Sequence, residues 1–105
     1  MPEPLTLFAR ITPKSEHLAA ARHAVLDILS VTRAEPGCRV FTLHDDPGGG
    51  GCLYLYEVWD DEAALEAHHA QPYTQAVFDH YRLWLSEPVA ITRLRQIGEV
   101  SACSS

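Results

Sequence analysis

The 105-residue sequence holds a single lysine, a single methionine, no asparagine and three cysteines, and each scarcity narrows what the chain can do. With Lys14 as the only lysine and a formal net charge of −6, there is no basic stripe to follow a phosphate backbone, so nucleic acid is not an expected partner. Cys38, Cys52 and Cys103 are odd in number and share no CxxC spacing, which points away from a disulfide framework, a zinc knuckle and a CxxCH haem attachment. A long hydrophobic run is also missing. In "MPEPLTLFARITPK", Glu3 precedes the first apolar stretch and Arg10 interrupts it before a signal-peptide core or a membrane span is complete. The expectation is a cytoplasmic, untargeted protein with no membrane partner.

What is present is an ordinary globular balance. A hydrophobic content of 47% with 21% charge places the chain among folded domains rather than disordered tails or fibrous repeats. At this length one thin core is expected, with a single domain over residues 1–98 and a polar C-terminal tail, 99–105, ending "SACSS".

Periodicity orders the elements. "LTLFARIT", residues 5–12, alternates as a strand does; Leu18, Ala21, Val25, Ile28, Leu29 and Thr32 then recur at helical spacing behind an N-cap at Ser15, predicting one long amphipathic helix that stops at "EPG". "CRVFTLHD" and "CLYLYEVW" flank the turn sequence "DPGGGG" and read as a hairpin. "DEAALEAHHA" and "YTQAVFDHYRLWL" give a helix pair broken at Pro72, and "AITRLRQI" a fourth strand. The order predicts an α+β fold, the ferredoxin-like split βαβ arrangement with an antiparallel sheet and helices on one face.

The third strand carries more apolar surface than that fold covers. Leu53, Leu55 and Trp59 alternate with Tyr54, Tyr56 and Val58, whereas a sheet wet on one side shows polar alternation. No helices remain to bury the second face, so a homodimer through the sheet faces is expected, with the C-terminal tail as the alternative cover.

Several motifs bear on chemistry. Gly48 to Gly51 lack the Lys and Ser or Thr of a phosphate loop and are followed by a strand, so they read as a turn. At about 100° per residue from Asp61, His68 falls on the buried stripe between Ala64 and Leu65, while His69 falls beside Glu62 and Glu66 on the rim or in solvent. The two rings are expected to point apart, and adjacent histidines lack the three- or four-residue spacing of a helical metal site, so no metal is assigned. His68 is either a core imidazole satisfied by a carbonyl or carboxylate, or a base facing a cavity; spacing does not separate the two. Glu57 interrupts the apolar face of its strand and is either partly buried against a donor such as Arg10 or set at a wet strand end. Phe8, Trp59, Tyr73, Phe78, Tyr81 and Trp84 supply enough aromatic surface for a core or for the walls of an apolar cavity.

"EPGC" after the first helix, the strand ending "YEVW" and then "DDEAALEAHHAQPY" resemble the antibiotic biosynthesis monooxygenase domain, including small quinol monooxygenases, from about Leu5 to Ile97. The resemblance implies a dimeric α+β barrel and, in each subunit, a pocket between sheet and helices with His68 and Glu57 as catalytic residues. It implies oxygenation of a small electron-rich phenol or hydroquinone by O2 without a cofactor, the aromatic ring being held by Phe8, Trp59, Tyr73, Phe78 and Trp84. Haem-degrading relatives use an Asn, Trp and His set, which a chain without asparagine does not offer. Two alternatives stay open: an oxygen-independent isomerase of a small phosphorylated dione, which would want cationic residues near the phosphate, and a non-catalytic small-ligand-binding dimer.

Overall fold

The computed structural model describes residues 3–98. The tail expected over 99–105, with Cys103, lies outside the described residues. Four strands form one sheet: β1 (Leu5–Ile11), β2 (Cys38–Asp45), β3 (Leu53–Trp59) and β4 (Ala90–Leu94). They lie in the order β2-β3-β1-β4 and every neighbouring pair is antiparallel, the α+β ferredoxin-like arrangement. The helices are α1 (Leu18–Leu26), α2 (Leu29–Arg33), α3 (Glu62–His69) and α4 (Pro72–Trp84).

Alternation along β1 and β3 decides which side chains meet the helices. Leu7, Ala9 and Ile11 of β1 and Leu53, Glu57 and Trp59 of β3 are buried on the inner face, where they join Ala21 and Val25 of α1, Leu65 of α3, and Val77 and Tyr81 of α4. Trp59 is fully buried and anchors this core, its ring meeting Phe41 of β2 edge-on at 6.4 Å.

The single long helix expected after β1 is two helices behind a short 3₁₀ turn, Ser15–His17, and Ser15 is not an N-cap. At the break Ile28 N–H bonds back to Val25 O, an i to i−3 step next to Asp27, a residue type that competes poorly inside helices. The tightened turn lets both Ile28 and Leu29 pack on the core, so the apolar stripe survives the break. The last strand is shorter than its sequence pattern, ending at Leu94 with β1 as its partner.

Two turns need glycine. In the hairpin, Gly49 and Gly51 have φ of 77° and 81°, and Asp46 accepts from Gly48 N–H at 2.8 Å. Gly37, in "EPGC", has φ of 87°, and a Cβ there would lie 2.6 Å from the Ala64 side chain of α3. The loop before β2 therefore passes directly against α3, which fixes what that loop can present to the helix.

Candidate active site

α3 begins with Asp61, whose carboxylate accepts from Ala64 N–H at 2.9 Å and satisfies one of the free donors of the first turn. From that cap, two turns carry His68 to the buried side, 4% exposed, with its ring centroid 4.8 Å from Trp59 and 5.4 Å from Phe41. Beneath it, between the sheet and the helices, is a cavity of about 120 Å³. Leu7, Ala9, Ile11 and Leu55 form its floor, and Val25, Ile28, Val77, Phe78 and Tyr81 its roof. Glu57, His68, His69 and Thr74 are the polar side chains that join Tyr81 in the lining.

The carboxyl group of Glu57 is 7% exposed and accepts from Trp59 Nε1–H at 3.0 Å. The donor expected for it, Arg10, instead pairs with Glu87 at the surface, because Arg10 alternates onto the outer side of β1. Burial raises the Glu57 pKa above the usual carboxylate range, opposed by the Trp59 hydrogen bond and by the charge of His68. Glu57 is thereby a proton-accepting or proton-donating group nearer neutrality than an exposed glutamate.

His68 is held from behind by a residue that sequence reasoning missed. Its Nδ1 lies 2.8 Å from Glu35 Oε2, and both side chains are almost wholly buried. The same oxygen accepts the hydroxyl of Tyr73, while Thr74 Oγ1 approaches Nδ1 at 3.4 Å. Burial, and then the bond to Glu35, push the Tyr73 phenol up to about 12. Glu35 lies within "EPGC", and Gly37 two residues on provided the available signal: a glycine required for close approach implies that its neighbours are held against something.

His69 departs from expectation. It is half-buried rather than solvated, its ring centroid is 5.7 Å from that of His68 and 5.5 Å from Phe78, and it too lines the cavity. The edge-on contact with Phe78 of α4 leaves the second imidazole on the cavity wall instead of turned away. Burial lowers the His69 pKa, with the charges of His68 and Arg93 acting in the same direction.

The expected ring-holding set divides. Phe78 lines the cavity, and Trp59 walls the far side of His68. Phe8 does not reach it: it alternates onto the opposite face of the sheet and stacks on Tyr54 at 5.6 Å. Trp84 lies outside it, stacked between His80 at 4.6 Å and His17 at 6.0 Å near the end of α4. Tyr73, the second residue of α4, is turned to Glu35. Among the described residues no three His, Cys, Asp or Glu side chains cluster as a metal-ligand set.

The profile of the family described as Antibiotic biosynthesis monooxygenase matches residues 4–80. Among curated proteins, the chain is 33% identical to Rv0793 of Mycobacterium tuberculosis, provisionally named a monooxygenase, over 97% of this chain and all of the relative. The solved structure of Rv0793 superposes with a TM-score of 0.87 over 94% of this chain and all of that one. The crystal structure of PA3566 from Pseudomonas aeruginosa is similar to the same degree, with a TM-score of 0.86 and 32% identity over 93% of this chain and 98% of that one.

Proposed function

Because the chain belongs to the antibiotic biosynthesis monooxygenase family, we propose that it oxidises a small electron-rich phenol or hydroquinone with O2, without a cofactor, as a homodimer. The observation that carries the reading is the mostly apolar cavity between sheet and helices that both an imidazole and a buried carboxyl group line. A cavity of this size suits one aromatic ring: apolar cavities of about 150 Å³ bind benzene.

The chemistry rests on the substrate. Ground-state O2 is a triplet and reacts slowly with closed-shell molecules, but a phenolate can give it one electron, and the resulting radical pair combines at a ring carbon. One oxygen atom stays on the ring as a carbonyl, the other leaves as water, and the phenol supplies all four electrons. The protein contributes a base, a water-poor cage and a fixed ring orientation. His68 takes the phenolic proton, Glu57 with its raised pKa exchanges a proton with the developing peroxide, and Phe78 holds the ring. The outer face of the sheet, with Phe8, Val40, Tyr54 and Tyr56 lining one shallow apolar groove, supports the dimer. A cytoplasmic location accords with the described helices, none of which is long and apolar enough to cross a membrane.

The isomerase alternative would need a cation at the substrate phosphate. Among the described residues no lysine or arginine lines the cavity; of the four arginines that could serve a phosphate, Arg10, Arg39 and Arg93 are engaged with Glu87, Asp60 and Glu62 at the surface, and Arg95 is exposed beyond the end of β4. That leaves the oxygenase as the better supported chemistry.

The test is oxygen uptake by the purified, metal-stripped protein against a panel of hydroquinones and dihydroxynaphthalenes. Uptake with stoichiometric quinone is expected, falling by about 10²–10⁴-fold in His68→Ala and kept in the exposed control His23→Ala. Uptake no faster than the uncatalysed background across the panel would refute the oxygenase.

A further inference from the structure

Glu35 Oε2 meets two polar groups on different elements. One is the phenol of Tyr73, from the first turn of α4; the other partner is Nδ1 of His68, near the end of α3. A carboxylate only accepts, and the Tyr73 hydroxyl has a single hydrogen, which it gives to Glu35. If Nδ1 carried the lone pair, two acceptors would face each other at 2.8 Å in a buried site, an arrangement that costs far more than the alternative tautomer. Nδ1 therefore carries a hydrogen, and in the neutral ring Nε2 carries the lone pair.

We propose that Glu35 is the positioning residue of this site, holding His68 as the Nδ1–H tautomer so that Nε2 is the free base for a substrate in the cavity. The function of that base rests on the oxygenase reading; the tautomer lock does not. In the proton step the substrate O–H bond breaks, an Nε2–H bond forms, and the electron pair stays on the phenolate oxygen. The imidazolium then forms beside the Glu35 carboxylate, so the buried pair ends with no net charge and no proton need pass to Glu35. The other ionisable groups around His68 are Glu57 from β3, His69 on its own helix, Tyr73 from α4 and Cys38 of β2, the last facing Glu35. Tyr73 is the one of these that bonds to Glu35, at the back of the ring and away from the cavity lining.

The lock separates into a tautomer and a charge. In Glu35→Gln a side-chain carbonyl in the place of Oε2 accepts from both Tyr73 and Nδ1–H, so the tautomer is kept while the charge that stabilises the imidazolium is lost. In Glu35→Ala no acceptor faces Nδ1, Thr74 Oγ1 becomes its nearest polar neighbour, and Nδ1–H is no longer imposed.

The experiment is long-range ¹H–¹⁵N NMR of the full chain without substrate, at a pH where imidazoles are neutral, together with kcat and KM for hydroquinone oxidation. Expected are Nδ1–H in the wild type, in Tyr73→Phe and in Glu35→Gln, and loss of the single Nδ1–H form in Glu35→Ala. With them, kcat falls by about 10-fold or more in Glu35→Gln and further in Glu35→Ala, with little change in KM. A wild-type ring in the Nε2–H form, or Glu35→Ala with Nδ1–H unchanged, overturns the proposal; the wild-type spectrum decides even if Glu35→Ala does not fold. The tautomer pattern without any oxygen uptake supports the lock while removing the oxygenase.

Discussion

The two faces of one sheet share the same strands and differ in almost everything else. On the inner face β3 presents Leu53, Glu57 and Trp59, all buried, and the carboxyl group among them has its own donor in Trp59 Nε1–H. On the outer face the same strand presents Tyr54, Tyr56 and Val58, with Tyr56 41% exposed, and Phe8 of β1 stacks on Tyr54. The inner face holds its polar groups in a mostly apolar cavity, where burial moves the proton affinities of Glu57 and His69; the outer face keeps wide aromatic surface, with Arg10 and His44 exposed beside it. A period of two thus lets a seven-residue strand line a cavity on one side and present a broad aromatic surface on the other.

The sharpest way to break the inner face is at Gly37. Gly37→Ala places a side chain at positive φ and drives its Cβ into Ala64, so stability should fall by about 2–4 kcal/mol in urea or thermal unfolding, with the His68 to Glu35 bond lost first. An unfolding midpoint within error of wild type would mean that the loop relaxes away from α3 and does not hold Glu35 in place.

The outer face should respond in mass rather than in fold. Tyr56→Asp puts a charge in the middle of the aromatic surface and should convert a dimer to the 11.7 kDa single chain in sedimentation, with the helical signal in circular dichroism retained. A dimer that persists through this substitution would place the interface elsewhere and end the argument from the doubled apolar face.

The smallest effect is in the pH dependence of stability. Burial raises the folded-state pKa of Glu57 above its ordinary 4.5, so above that pH the folded chain binds more protons than the unfolded chain. Its contribution is therefore fully present below the unfolded value and is lost as pH rises through the folded one. Glu57→Gln should remove that loss, giving a Tm that falls less than that of wild type between pH 4.5 and neutrality. A steeper fall in the variant would mean that Glu57 is held ionised by its partners, and its place as the second proton carrier would go.

Much of the inner face was legible in the chain. His68 falls on the buried stripe of α3 by counting from Asp61, and Glu57 stands out because it breaks an apolar alternation. The partner of each was not. Arg10 was a reasonable donor for Glu57 by charge, yet its alternation puts it on the other side of the sheet, and an indole two residues along the same strand does the task instead. Aromatic residues were also read as one set, although Phe8 lies on the outer face of the sheet while Tyr73 and Trp84 border a groove between α1 and α4, a separation that only the packing of helices on the sheet decides.

Local patterning by itself determined the order of strands and helices, the need for a turn at the glycines and the existence of a second apolar face, because these depend on side-chain period and backbone freedom over a few residues. The pairing of Glu35 with His68, 33 residues apart, the turning of Tyr73 toward that pair and the placing of His69 on the cavity wall were decided by tertiary structure alone. Hydrogen bonds at 2.8 Å between distant segments depend on how α3, α4 and the loop at Gly37 pack together, and no spacing along the chain encodes that distance.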